Sequence, residues 1–323
     1  MTTLFNYLKP IIFLGLACFL LWIALRGINF IEFKNTLKTI PLYWVLISML
    51  LGYLAFVFRG LRWELLIKPL GYKPSKFDLV NSIAFGYLFN SFIPRSGELV
   101  RCTALNKVAQ IPVSSLFGHV LLERLIDFIL LASCLIISLF LNYHEFIKFS
   151  HLISVPVNFI YYIIGFFLFI WMLYLNRKHF LSLDQRNKLL LFLEGIRAGF
   201  YSIKNMPNKF VFFVYTFLIW LCYLFMTVVC FYCFNETKDF NLAQGLFIMV
   251  AGGLGMVVPT PTGIGSYHYL VIQALMVMSV DREIAQFFAL VVHSSQAIMI
   301  ILSGFLAMLF LYYRKHQMKN AQN

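Results

Sequence analysis

The segment NSFIPRSGELVR, residues 90–101, places Arg95, Glu98 and Arg101 directly behind Pro94 in a chain that is only 12% charged. Downstream, GHVLLERLID, residues 118–127, sets His119, Glu123 and Asp127 four residues apart, hence on one face of a helix, with Arg124 beside them. Guanidinium groups hold phosphate oxygens two at a time in a fixed plane. Free backbone N–H groups at Ser96 and Gly97, at the start of a returning helix that Ser96 can cap, would add to such an anion site. Arg95, Arg101 and Arg124 are, however, matched in number by Glu98, Glu123 and Asp127. Two readings therefore stand side by side: a ligand-binding or gating cluster, and a purely architectural ion-pair network.

A second polar island, VVPTPTGIGSYH at 257–268, offers Thr260, Thr262, Gly263, Gly265, Ser266 and His268 but no fixed cation. Anion affinity there would come from a half-helix N-terminus, and a glycine-rich turn needed only for close packing is the plain alternative. His293 and Gln296 read as interior polar groups of a later span. No catalytic residue, metal site or cofactor is expected, since neither a nucleotide-phosphate loop nor a metal-ligand cluster occurs. Cys18, Cys102, Cys134, Cys222, Cys230 and Cys233 nearly all fall in apolar runs and read as small packing groups rather than disulfides.

The elements that must position these residues follow from composition. At 61% hydrophobic and 18% aromatic, with mean hydropathy +0.82, the chain lies outside the range of soluble domains and reads as an integral membrane protein. Taking about 20 apolar residues per crossing, full spans are expected at 10–28, 42–60, 113–141, 155–175, 209–234 and 284–313. Two further apolar stretches, 77–107 and 240–280, are broken in the middle by proline and glycine and should form hairpins.

The net charge of +13 follows topology rather than pointing to nucleic acid. With both termini cytoplasmic, 19 of the 26 Lys and Arg fall on the inner side and 6 outside, Arg124 lying within a span. That orientation makes one hairpin re-entrant from the inside and the other from the outside. The expected fold is thus an all-α polytopic membrane helix bundle built as an inverted-topology repeat, about 1–145 and 150–323, within a single domain 1–323. Residues 184–204 carry an apolar face suited to an amphipathic helix in the cytoplasmic interface or, as the plain alternative, to a connector packed on the protein.

RGLRWELLIKPLG, NSFIPRSGELVRCTAL, LLERLIDFILL and the late proline- and glycine-rich turn together resemble the flippase-like membrane domain of the lysylphosphatidylglycerol synthases. Pro94, Gly97, Glu98 and Arg101, with Glu123, Arg124 and Asp127, match that family's pattern. Thr262 and the Ser266-Tyr267-His268 run depart from it where paired glycines and an acidic residue are usual. The resemblance implies a bacterial cell-membrane protein that translocates lipid without synthesising it, because the aminoacyltransferase domain of two-part members is not represented.

The leading expectation is a translocase for a phospholipid or lipid-linked substrate, holding an anionic headgroup between the two hairpins. A membrane scaffold that binds lipid, a partner enzyme or a second copy of itself is the alternative. A membrane-embedded lipid transferase using Glu98 or Glu123 as base is the third reading. Without a nucleotide motif, transport would be passive, ion-coupled or driven by another protein.

Overall fold

Where lipid surrounds the backbone, N–H and C=O groups must be satisfied within the segment, so long apolar runs become helices. The structure is a computed structural model that describes residues 2–153 and 203–322, Pro207 excepted, and isolated positions between 165 and 201. Among the described residues no strand occurs. The helices are α1 (Thr2–Leu25), α2 (Phe30–Thr39), α3 (Leu42–Ile67), α4 (Lys76–Asn90), α5 (Gly97–Ala109), α6 (Val113–Leu141) and α7 (Tyr143–Ile153). After the partly described region come α8 (Lys209–Val228), α9 (Leu242–Val257), α10 (Ser266–Val277) and α11 (Arg282–Gln322).

Four stretches are long and apolar enough to cross a membrane: Leu42–Leu70, Val113–Leu141, Lys209–Cys233 and Arg282–Gln317. They coincide with four of the expected spans, and the first expected span falls in α1. The span expected at 155–175 and the interfacial helix at 184–204 lie almost wholly outside the described residues. The short helices α2 and α7 were not anticipated. The first is started by Asn29, whose side chain accepts from the N–H groups of Ile31 and Glu32.

Both broken stretches form helical hairpins, α4–α5 and α9–α10. Their turns share a device, because Pro94 and Pro261 are each followed by a residue in the left-handed region, Arg95 at φ 62° and Thr262 at φ 49°. The hairpin arms touch backbone to backbone. A Cβ on Gly86 of α4 would lie 2.7 Å from the carbonyl oxygen of Gly97 on α5, and one on Gly255 of α9 would lie 2.7 Å from Cα of Tyr267 on α10.

Helix contacts come in matched pairs. Each hairpin's first arm packs on the helix before it (α3 on α4, α8 on α9), its second arm packs on the helix after it (α5 on α6, α10 on α11), and α3 packs against α8. Each hairpin also leans on the opposite half, α4 on α11 and α9 on α6.

The buried apolar residues form two clusters, one enclosing each hairpin. Trp63, Leu66, Ile83, Leu105, Leu116 and Phe212 surround α4–α5. Phe231, Phe247, Val271, Leu275, Phe287 and Phe288 surround α9–α10. Outward faces are apolar instead of polar, with Leu46 and Leu50 on α3, Phe128 and Phe140 on α6, Phe213 and Phe217 on α8, and Leu302 and Leu306 on α11 all exposed. A contiguous belt of this kind suits lipid and not water.

Candidate functional site: a buried arginine cluster

The buried stripe of α3 runs Val45, Ser48, Gly52, Ala55, Arg59, Arg62 and Leu66, a helical repeat that carries two arginines straight into the interior. They meet the carboxylate face of α6. Arg59 Nη2 lies 3.1 Å from Asp127 Oδ2. Arg62 spans both acids, with Nη1 3.0 Å from Asp127 Oδ1 and Nε 3.5 Å from Glu123 Oε1. From α5, Arg101 Nη2 closes on the other Glu123 oxygen at 2.5 Å. Aromatic rings line the guanidinium planes: Trp63 beneath Arg101 at 4.8 Å and Phe212 of α8 beside Arg62 at 5.8 Å. The same helix α8 supplies the Tyr223 hydroxyl, which accepts from Arg59 Nε at 2.8 Å.

Arg59, Arg62, Arg101 and Glu123 are all at most 4% exposed. Removing such charges from water costs several kcal/mol each unless partners compensate. The outer edge is different. Arg124 reaches Asp127 Oδ2 at 3.5 Å and Glu98 Oε1 at 4.0 Å, with its side chain 40% exposed and that of Glu98 24%. Arg95, also exposed, donates from Nη2 to the carbonyl of Val257 at 2.7 Å, so the tip of the first hairpin is tied to the last residue of α9. A cation at a helix C-terminus is favoured by the helix dipole.

Four arginines therefore share three carboxylates, and the balance of three against three expected from the sequence does not hold. Arg59 and Arg62 stand at and beyond the end of the span expected at 42–60, but α3 continues to Ile67 and takes both into the interior. Several of their N–H groups, including Nη1 of Arg59 and Nη2 of Arg62, have no hydrogen-bond partner among the described residues. Buried donors without acceptors are uncommon in folded proteins.

One local expectation is corrected. Ser96 does not cap α5, because its backbone is helical (φ −72°, ψ −25°) and its hydroxyl turns back to the Ile93 carbonyl at 2.8 Å. Asn90 does that job instead, its Oδ1 accepting from Gly97 N–H at 2.7 Å. Arg101 pairs with Glu123 because it faces α6 from the buried side of α5.

The second island is a closed local network. Ser266 Oγ donates to the Gly255 carbonyl at 2.7 Å and lies 3.2 Å from Thr260 Oγ1. Thr262 Oγ1 donates to the Pro261 carbonyl at 2.8 Å. His268 Nδ1 accepts from Gly265 N–H at 3.4 Å. Gly265 (φ 85°) presses on α1, where an added Cβ would lie 2.6 Å from Leu20 Cβ. The α10 N-terminus is thus covered by α1, and Gly263, at φ 77°, serves the turn. Among the described residues no hydrogen bond or ion pair joins this island to the arginine cluster except through the Arg95–Val257 contact. Sequence reasoning missed Arg59, Arg62, Tyr223 and Thr216, whose Oγ1 accepts from Arg62 Nη1 at 3.5 Å, as members of the site. In the sequence the two arginines look like membrane-boundary charges, and it is the buried stripe of α3 in the structure that places them inside.

Comparison with known proteins places this geometry. A UPF0104 membrane protein of Methanocaldococcus jannaschii is 31% identical over 97 residues, which is 29% of this chain and 29% of that protein. The chain thus matches under a third of the length of that relative. No solved structure matches significantly. The family described as "Lysylphosphatidylglycerol synthase TM region" matches residues 10–304, nearly the whole chain and every residue of the arginine cluster. With four helices of membrane-spanning length and an arginine cluster held between them, the chain is an integral membrane protein and belongs to the lysylphosphatidylglycerol synthase transmembrane-region family.

Proposed function

We propose that the protein moves an anionic lipid headgroup across the membrane, with the arginine cluster as the headgroup site. The observation that carries this reading is the uncompensated charge: four guanidinium groups against three carboxylates, with the imbalance ending at the exposed edge formed by Arg124, Glu98 and Arg95. Apolar residues border that edge: Phe92, Ile93 and Leu99 on the first hairpin, Phe128 on α6 and Met256 on α9 are exposed. A phosphate can seat between guanidinium groups there while acyl chains stay against the apolar border. Arg124 is the contact residue, and Arg62 and Arg101, locked on Glu123, hold the base of the site.

Lysine in place of Arg124 keeps the charge and removes the fork. A charge-assisted hydrogen bond is worth about 1.5–3 kcal/mol, so Arg124→Lys should slow movement of a fluorescent anionic phospholipid in reconstituted vesicles by about ten- to a hundredfold at equal incorporation. Rates equal to wild type, well above empty vesicles, would remove Arg124 from the site.

In this reading both termini face the cytoplasm and the two hairpins enter from opposite sides. Single cysteines at Lys107 and Arg282 should therefore label from opposite sides of sealed vesicles. Labelling of both from one side would end the inverted arrangement. The scaffold reading has one observation in its favour, since Glu123 is ion-paired by both Arg62 and Arg101, as a wholly architectural carboxylate would be. Wild-type protein that moves no lipid under any gradient would favour it.

A further inference from the structure

The first arm of the first hairpin brings one more polar group to the arginine cluster. Residues 86 and 87 of α4 lie between the two elements that carry its buried arginines. On one side, a Cβ added at Gly86 would stand 3.0 Å from Arg101 Cβ on α5. On the other, the Tyr87 ring stacks on Phe56 of α3, with centroids 4.5 Å apart and planes inclined by 26°. Phe56 precedes Arg59 by one helical turn and shares its face of α3. The charged groups that face Tyr87 are accordingly Arg59, Arg124, Asp127 and Arg101. Tyr223 of α8 stands close by.

The hydroxyl of Tyr87 differs from its neighbours in having no task. Tyr223 uses its oxygen to accept from Arg59 Nε. Tyr87 makes no side-chain hydrogen bond among the described residues. It is half-buried, whereas the unpartnered donors Arg59 Nη1 and Trp63 Nε1 are sealed from any visitor. The groups around it offer little to its proton. Guanidinium groups only donate. Asp127, the carboxylate among those neighbours, is ion-paired at both oxygens already, by Arg62 at Oδ1 and by Arg59 and Arg124 at Oδ2. A phenol O–H set among arginines and a committed carboxylate lacks an acceptor, and a ligand with several anionic oxygens supplies one.

We propose that Tyr87 is a headgroup contact, its hydroxyl donating to an oxygen of the phosphate that Arg124 holds. The proposal rests on the translocase reading. The ligand must then offer at least two free oxygens, one to the phenol and one to the guanidinium. Tyr87 contributes a donor without adding charge, in a cluster whose arginines already outnumber its carboxylates. The bond also reaches both arms of the hairpin, because Gly86, next to Tyr87, packs directly on Gly97 of α5. A ligand seated there touches α4 through Tyr87 and α6 through Arg124.

The test measures binding of dihexanoyl phosphatidylglycerol and, in parallel, of inorganic phosphate to the full-length protein in a non-ionic detergent. Wild type is compared with Tyr87→Phe, and unfolding temperatures are taken on the same samples. Phenylalanine keeps the stack on Phe56 and removes the oxygen alone. The variant should unfold with wild type and bind the short-chain lipid about ten- to a hundredfold more weakly, the worth of one hydrogen bond to a charged group. Loss for the lipid alone assigns the bond to a lipid headgroup, and equal loss for both probes assigns it to the phosphate group whatever carries it. Equal affinities of wild type and variant overturn the role of Tyr87 and leave the headgroup site standing. So does a weaker-binding variant that also unfolds at lower temperature, because the hydroxyl then serves the fold. Wild type that binds neither probe overturns both.

Discussion

Glu123→Gln should cost about 3–5 kcal/mol of stability, the usual penalty for removing one partner of a buried ion pair. The amide keeps the shape of the acid but withdraws the charge that Arg62 and Arg101 share, and the cluster goes from one uncompensated positive charge to two. Neither arginine can turn to water, since Arg62 is fully buried and Arg101 is nearly so. The expected result is a large drop in thermal unfolding temperature in detergent, with poor yield. Adding Arg101→Met should recover part of the loss, because an apolar side chain over Trp63 leaves no orphaned charge at that point. A double-mutant cycle with simply additive losses would show that Arg101 and Glu123 do not interact as the geometry requires.

A loss of similar size is expected at Gly265 for a different reason. Valine there must adopt φ 85°, which β-branched residues resist, and its Cβ would meet the backbone of α1, 2.6 Å from Leu21 N and 2.7 Å from Ala17 O. Strain and overpacking each cost about 1–3 kcal/mol, so Gly265→Val should lose about 3–5 kcal/mol and free α1 from α10. Gly27 is the control. It has nearly the same φ, 83°, with nothing within 4 Å of an added Cβ, so Gly27→Val carries the strain alone. Limited proteolysis near residue 25 should increase for the Gly265 variant only. Equal sensitivity of the two variants would mean that α1 does not depend on the turn.

The helical bundle and its hairpins were readable because their determinants are local. Apolar runs of about 20 residues and a proline inside a run speak for themselves. The two unexpected helices, α2 and α7, are short, and such pieces form through capping and contact rather than through any strong pattern. The site was half legible. Arg95, Glu98, Arg101, Glu123, Arg124 and Asp127 announced themselves as charges in apolar sequence. Arg59 and Arg62 stood at the edge of a run, where charge is what a membrane boundary also looks like, and only the register of α3 relative to α6 distinguishes the two. Register is tertiary. Likewise Ser96 has the composition of a cap, but a cap needs an extended backbone at that residue, and the left-handed turn at Arg95 set its conformation otherwise.

The two hairpin tips are joined where a side chain of one half, Arg95, grips a main-chain oxygen of the other. Such a clasp is chemically lopsided. Every amino acid placed at position 257 retains that oxygen, so this side of the contact cannot be mutated away by changing a side chain, whereas position 95 tolerates only a long donor able to hold a left-handed backbone. A saturation scan of both tips should thus show one stringent column and one permissive column for a single bond. For this one bond the mutational load falls on the first half, while the second half supplies an atom that no side-chain change removes.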